Sequence, residues 1–227
     1  MLDLRNISKE YNQKHGIVHA LRDVDLKIEK GTFTTITGSS GSGKTTLLLL
    51  LGGLIKPSGG IIQFAGTDLY SMPPNKIADY RNKSVGFVLQ SFHLIPYLTA
   101  VENVEVPMLL GKSESSSRKE KAIALLGKMG LSERKEHLPR ELSVGQQQRV
   151  AIARALANDP EIILADEPTG NLDPKLSLDI LNILKSLNED EGRTVLMVTH
   201  SPEASKFGKH KLRIEAGRIM NSDITID

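Results

Sequence analysis

The stretch that most constrains this chain is Gly38-Ser39-Ser40-Gly41-Ser42-Gly43-Lys44-Thr45. It fits G-x-x-x-x-G-K-[ST], a loop whose backbone N–H groups close around phosphate oxygens. Its flanks suit that use. Thr32 to Thr37 is short and rich in β-branched residues, as a strand would be, and Thr46 to Leu51 reads as an apolar helix. A helix starting at the loop directs its positive dipole end at bound phosphate. Lys44 would reach the β- and γ-phosphates, and the Thr45 hydroxyl would bind Mg²⁺. The competing reading is a Gly/Ser-rich loop with a chance lysine.

With 227 residues, the chain can build one α/β domain with a full core, with room for a subdomain. Lys and Arg total 29 against 27 Asp and Glu, a net charge of +2, which argues against a nucleic-acid binder relying on a strong basic field. Absence of cysteine excludes disulfides and thiolate-bound metals. The start, Met1-Leu2-Asp3-Leu4-Arg5, lacks the basic-then-apolar layout of a signal peptide. The longest apolar run, Leu47 to Leu51 with Gly52-Gly53-Leu54-Ile55, falls short of the ~20 residues that span a bilayer. The expectation is a soluble, cytoplasmic protein, for which any membrane role requires a separate membrane partner.

Hydrophobic patterning divides the chain. Leu2, Leu4 and Ile7 suggest a first strand, and Val24, Leu26 and Ile28 alternate as in a half-exposed second one, with Tyr11 in the polar segment between them. Lys56-Pro57-Ser58-Gly59-Gly60 is turn chemistry, Ile61 to Phe64 a strand, and Val85 to Leu89 a buried strand ending at Gln90. From 91 to 142 no strand is evident. Ala100 to Leu110 and Ser117 to Met129 read as helices, the second with a capping box of Ser117 and Glu120. Val144 to Ala157 and Leu178 to Leu187 read as helices, Ile162 to Ala165 and Thr194 to Thr199 as buried strands, and Lys211 to Met220 as a hairpin turning at Ala216-Gly217. Alternating strands and helices predict a mainly parallel sheet with ligands at the C-terminal strand ends.

Candidate chemistry gathers at those ends. Asp166 would hold Mg²⁺ directly or through water. Glu167 could accept a proton from the water attacking the γ-phosphate. The plainer reading is two solvated carboxylates. Gln90 offers a neutral carbonyl to metal or water, and His200 could hydrogen-bond the γ-phosphate or orient the water; either side chain could equally be structural. Farther along, Leu142-Ser143-Val144-Gly145-Gln146 opens a helix, with Ser143 placed to cap it and Gly145 permitting close backbone approach. Its N-terminus can attract an anion or be an ordinary cap.

Taken together these motifs resemble the ATP-binding subunits of ABC transporters from end to end. Tyr11 matches the residue that stacks on adenine, Gly38 to Thr45 the Walker A loop, Gln90 the Q-loop and Leu142 to Gln146 the signature. Ile162 to Glu167 matches the Walker B strand with its catalytic glutamate, Asn171-Leu172-Asp173 the D-loop, and His200 the switch histidine. Val144 stands where the family usually has glycine. Glu167-Pro168-Thr169-Gly170-Asn171-Leu172-Asp173 and Glu102-Asn103-Val104-Glu105-Val106-Pro107 resemble the branch serving lipoprotein release, macrolide or peptide export and cell division.

The resemblance implies an α/β fold: a P-loop NTPase core with a mainly parallel sheet, an N-terminal antiparallel β region, and a helical subdomain over 91–142 inserted in a single domain of 1–227. It implies ATP and Mg²⁺ as cofactors. Gly38, Ser39, Ser40, Gly41, Ser42, Gly43, Lys44, Thr45, Thr46, Tyr11, Ser143, Gly145 and Gln146 would bind nucleotide. Thr45, Gln90 and Asp166 would hold the metal, and Glu167, His200 and Gln90 would serve catalysis. The implied partners are an integral membrane permease, which would hold the protein at the inner face of the cell membrane, and a second copy of the chain, joined head to tail by ATP. No nucleic acid is implied. The alternative is a soluble regulatory ABC ATPase uncoupled from transport, a type that usually carries two cassettes in one chain.

Overall fold

A computed structural model describes residues 1–14, 16–110 and 115–220. The chain opens as a long antiparallel hairpin, β1 (Leu2–Gln13) and β2 (Gly16–Ile28). Then follow β3 (Phe33–Thr37), α1 (Lys44–Leu51), β4 (Gly59–Phe64), β5 (Thr67–Asp68), α2 (Pro74–Ser84) and β6 (Val85–Leu89). Two helices, α3 (Ala100–Glu105) and α4 (Ser115–Lys128), precede α5 (Val144–Ala155). The chain continues through β7 (Ile162–Asp166), α6 (Pro174–Glu189), β8 (Thr194–Val198), the single turn α7 (Pro202–Ser205), β9 (His210–Glu215) and β10 (Arg218–Met220).

Two sheets result. One is antiparallel in the order β2-β1-β4-β5; the other runs β10-β9-β3-β8-β7-β6 and is parallel except at β10. The mainly parallel core expected from the alternating pattern is therefore present. Along β7 the buried side chains alternate. Ile162 and Leu164 pack with the antiparallel sheet and α1, while Ile163 and Ala165 pack with α3, α4, α5 and α6. A strand buried on both faces has no polar side, which is why β6, β7 and β8 read as continuous apolar runs.

Several local expectations need correction. Tyr11 lies inside β1, paired with Val18, and not between two strands. The outer hairpin is largely exposed on both faces there, so it carries no hydrophobic alternation to reveal it. Ser117 lies within α4, which is already helical at Ser115, so it caps nothing. The helix over Ala100–Leu110 is α-helical only to Glu105 and tightens to 3₁₀ over Val106–Leu110; Pro107 has no N–H to continue the i→i−4 ladder. Helix α6 begins at Pro174, capped by the Asp173 carboxylate on the N–H groups of Lys175 and Leu176. Helix α2 is absent from the pattern reading. It is short and mostly polar, and its one buried residue, Tyr80, donates from its hydroxyl to Leu51 O at 2.7 Å, satisfying an end carbonyl of α1. The C-terminal hairpin forms as expected, with Ala216 (φ 46°) and Gly217 (φ 79°) both left-handed, the requirement of a type I′ turn.

Candidate functional site

Register brings the site together. Leu89 pairs with Asp166, Asp166 with Val198, and Val198 with Ile36, so four parallel strands end level. The residues just beyond that row are Gln90, Glu167, the Thr199-His200 pair and the phosphate loop, segments otherwise far apart in the chain. Gly38, Ser39, Ser40, Gly41, Lys44, Thr45, Gln90, Asp166, Glu167 and His200 line one cleft of about 520 Å³. An adjoining hollow is lined by Ser42, Gly43 and Thr46 with Val18, His19 and Ala20 of β2.

The loop is shaped by steric exclusion. At Gly43 (φ 106°), the cap of α1, a Cβ would lie 2.3 Å from Ala20 O. Gly38 (φ 155°) would place one 2.3 Å from Ile214 O. Only glycine permits these approaches. Lys44 is 8% exposed, and its ammonium donates to Gly38 O and Ser39 O, each at 2.8 Å. The ammonium is thereby held over the mouth of the loop. The Ser42 hydroxyl is buried without a hydrogen-bond partner, a polar group that an anion in the loop could engage.

At the next strand end the Thr45 hydroxyl donates to both Asp166 carboxylate oxygens, at 3.2 and 3.0 Å. Burial pushes the Asp166 carboxyl above the usual carboxylate range, and the Thr45 hydrogen bond pulls it back. The Glu167 charge raises it further, and Lys44 opposes that. A hydroxyl and a carboxylate side by side, with the Gln90 amide on the same cleft, form an oxygen donor set that would suit a hard divalent cation.

Glu167 stands at φ 46°, an uncommon conformation for a residue with a side chain, costing of order 1–3 kcal/mol. Its N–H donates to Val198 O at 3.0 Å, and its carbonyl accepts from Gly170 N at 3.0 Å, closing a tight turn. The carboxylate lies 2.8 Å from His200 Nδ1 and accepts from the His200 N–H at 3.3 Å. Its side chain is 15% exposed, against 69% for His200. Gln90 exchanges hydrogen bonds with Asn171: Asn171 Nδ2 donates to Gln90 O at 3.2 Å and Gln90 Nε2 to Asn171 Oδ1 at 3.5 Å.

Other expected residues lie outside these clefts. Tyr11 is 37% exposed on the outer hairpin, with the Lys9 ammonium 5.1 Å from its ring. Ser143 caps α5 in a capping box: its hydroxyl accepts from Gln146 N at 3.3 Å and its N–H donates to Gln146 Oε1 at 2.9 Å. The Gln146 side chain is thus committed to the cap. Gly145 packs against Leu176, where a Cβ would fall 3.0 Å from Cδ2. Val144 takes the first position of α5 and has no positive φ, so valine at the glycine position introduces no backbone strain.

Three positioning side chains escaped the sequence reading. Asn103 is fully buried: it accepts from Ile95 N at 2.7 Å and donates to Ile95 O, Leu98 O and Thr99 O at 3.1, 2.9 and 3.0 Å. Arg154 donates to His93 O at 2.5 Å and to Phe92 O at 2.6 Å. Together they shape the segment after Gln90, from which Tyr97 projects at 78% exposure. Gln148 is the third, fully buried on α5. Their targets are main-chain groups, four to eight residues away for Asn103 and farther along the chain for Arg154 and Gln148, and a main-chain group leaves no residue pattern to find.

Comparison with known proteins gives a consistent result. The family model described as ABC transporter matches residues 21–170. An uncharacterized ABC transporter ATP-binding protein of Methanocaldococcus jannaschii, MJ1508, is 47% identical over 97% of this chain and 98% of its own length. The macrolide export ATP-binding/permease protein MacB of Syntrophobacter fumaroxidans is 45% identical over 96% of this chain, which covers 31% of that protein. Among solved structures, the dimeric post-hydrolysis state of the ATP-binding cassette MJ0796 bound to ADP and Pi superposes with a TM-score of 0.91 at 41% identity, covering 98% of both chains.

Proposed function

The chain belongs to the ABC transporter family, and from that premise we propose that it is the ATP-hydrolysing subunit of a transporter whose permease is a separate chain. The observation that carries this reading is the level row of strand ends, which assembles loop, metal-side carboxylate, second carboxylate and histidine in one cleft. Backbone N–H groups and Lys44 would bind the triphosphate. Tyr11 would stack on the adenine beside the hollow formed with Val18 to Ala20. Thr45 and Asp166, with Gln90, would hold Mg²⁺, which when bound neutralises phosphate charge and fixes the γ-phosphate's orientation. Glu167 would take the proton of the attacking water, aligned by His200 and by the turn that fixes its main chain.

Ser143 is exposed at the N-terminal end of α5, with Gln146 half-buried and Gly145 buried beside it, apart from this cleft, an arrangement that suits contact of Ser143 with nucleotide held by a second copy. The dimeric MJ0796 cassette, the same fold at 41% identity, supports a pair, and in our reading the pair is head to tail, with ATP bridging Lys44 of one subunit and Ser143 of the other. We read 91–142 as the subdomain facing the permease, with the segment from Phe92 to Leu98 receiving a short cytoplasmic helix. Among the described residues no helix is long and apolar enough to cross a membrane. Attachment to the inner face of the membrane would run through the permease. The macrolide-export relatives favour export as the output.

The test is hydrolysis and partnership together. Purified protein should hydrolyse ATP only with Mg²⁺, and Lys44→Ala should abolish it. A photo-cross-linker at Tyr97 should capture an integral membrane protein in native membranes. Nucleotide-independent capture of soluble proteins alone would overturn the transport reading.

A further inference from the structure

Gln148 is a polar side chain with no exposed surface, in the middle of α5. Its amide Nε2 donates to Pro168 O at 2.6 Å. The orientation is unambiguous, because a carbonyl only accepts. Its Oε1 is buried with no hydrogen-bond partner. A buried polar atom left unpaired is costly, so a side chain chosen for packing alone would be apolar. The nitrogen is thus the end that carries the requirement.

Pro168 follows Glu167 directly. Glu167 is held at φ 46° by its N–H on Val198 O and its carbonyl on Gly170 N. Pro168 has no N–H to add a third anchor, and the Gln148 amide supplies one from the side of α5 instead. The same helix carries Ser143 at its N-cap.

We propose that Gln148 is a positioning residue for hydrolysis: it ties α5 to the turn that seats the Glu167 carboxylate, so the carboxylate is aligned only while α5 is in place. This rests on the role given above to Glu167. Nucleotide affinity should be indifferent to it, since neither Gln148 nor Pro168 lines the nucleotide clefts. Displacing a reacting group by about 1 Å costs up to roughly a hundredfold in rate.

The experiment is a double-mutant cycle on the full chain, reading kcat, KM and MgATP affinity. Gln148→Met matches the volume and removes the donor; Gln148→Leu is the second variant should the first fail to fold. The expected result is kcat lowered roughly 10- to 100-fold with KM and affinity within about twofold of wild type. Gln148→Met combined with Glu167→Gln should be no slower than Glu167→Gln alone, because both act through one carboxylate. An unchanged kcat in a folded variant, or losses that multiply in the double variant, would overturn the proposal. A fully active Glu167→Gln would instead remove the role of Glu167 itself, and the proposed mechanism with it, whatever Gln148 does.

Discussion

Replacing Glu167 with glutamine separates binding from chemistry in this site. The amide keeps the shape of the carboxylate and retains an acceptor for the His200 N–H, now at 3.3 Å from Oε2. Its NH₂ can donate to His200 Nδ1, now 2.8 Å from Oε1, if the ring proton sits on Nε2. What is lost is basicity. General-base catalysis contributes about 10²–10⁴-fold, so kcat should fall by that factor, or about 3–5 kcal/mol of barrier. Affinity should not change, since in the proposed site the loop and Lys44 would hold the triphosphate. ATP would then persist in both sites of the pair. Each subunit's loop would hold ATP by itself as well, so ATP favours the pair by the ratio of the two affinities, and a hundredfold tighter hold in the closed pair is about 2.7 kcal/mol per site. Two sites give about 5 kcal/mol, nearly four decades in the dimerisation constant. In size-exclusion chromatography with light scattering, Glu167→Gln should run as a dimer with ATP and Mg²⁺ and as a monomer with ADP. Adding Ser143→Arg should abolish that dimer by setting a bulky cation at the contact, and Lys44→Ala should do so by losing nucleotide. Normal hydrolysis by Glu167→Gln, or a monomer in millimolar ATP, would refute the reasoning.

Other expectations follow from single sites. The folded-state pKa of Asp166 lies above its ordinary value of 3.8, so the nucleotide-free protein loses stability as pH rises from 3.8 through the folded pKa. Asp166→Asn should therefore melt at a higher temperature than wild type at pH 7, with the advantage gone below that window, while Mg²⁺-dependent hydrolysis is lost; calorimetry across pH checks the sign. Asn103→Leu strands the Ile95 N–H and the carbonyls it now serves, and should lower unfolding free energy in urea by roughly 2–4 kcal/mol. Tyr11→Ala should weaken ATP binding by about 1–3 kcal/mol in a nucleotide titration, the scale of base–aromatic stacking, with no change in dimer contacts.

Short-range chemistry was determined by the sequence alone. The phosphate loop is legible because glycine, lysine and threonine stand at the fixed spacing that phosphate contact demands, and Ser143 is legible as a cap because the helix start lies within three residues of it. Buried strands β6, β7 and β8 announce themselves by unbroken apolar runs, and so the fold class follows. Tertiary structure decided what those pieces do together. The strand register set Gln90, Glu167 and His200 level, and the left-handed turn at Glu167 aimed its carboxylate at His200. It also placed Tyr11 on a solvent-exposed hairpin with no periodic signature, folded the loop after Ile95 around Asn103, and turned Gln148 and Arg154 toward distant carbonyls. The physical reason is that any residue can supply a main-chain carbonyl. A side chain that serves one leaves no trace in the partner's identity, and only the folded path of the chain reveals the pair.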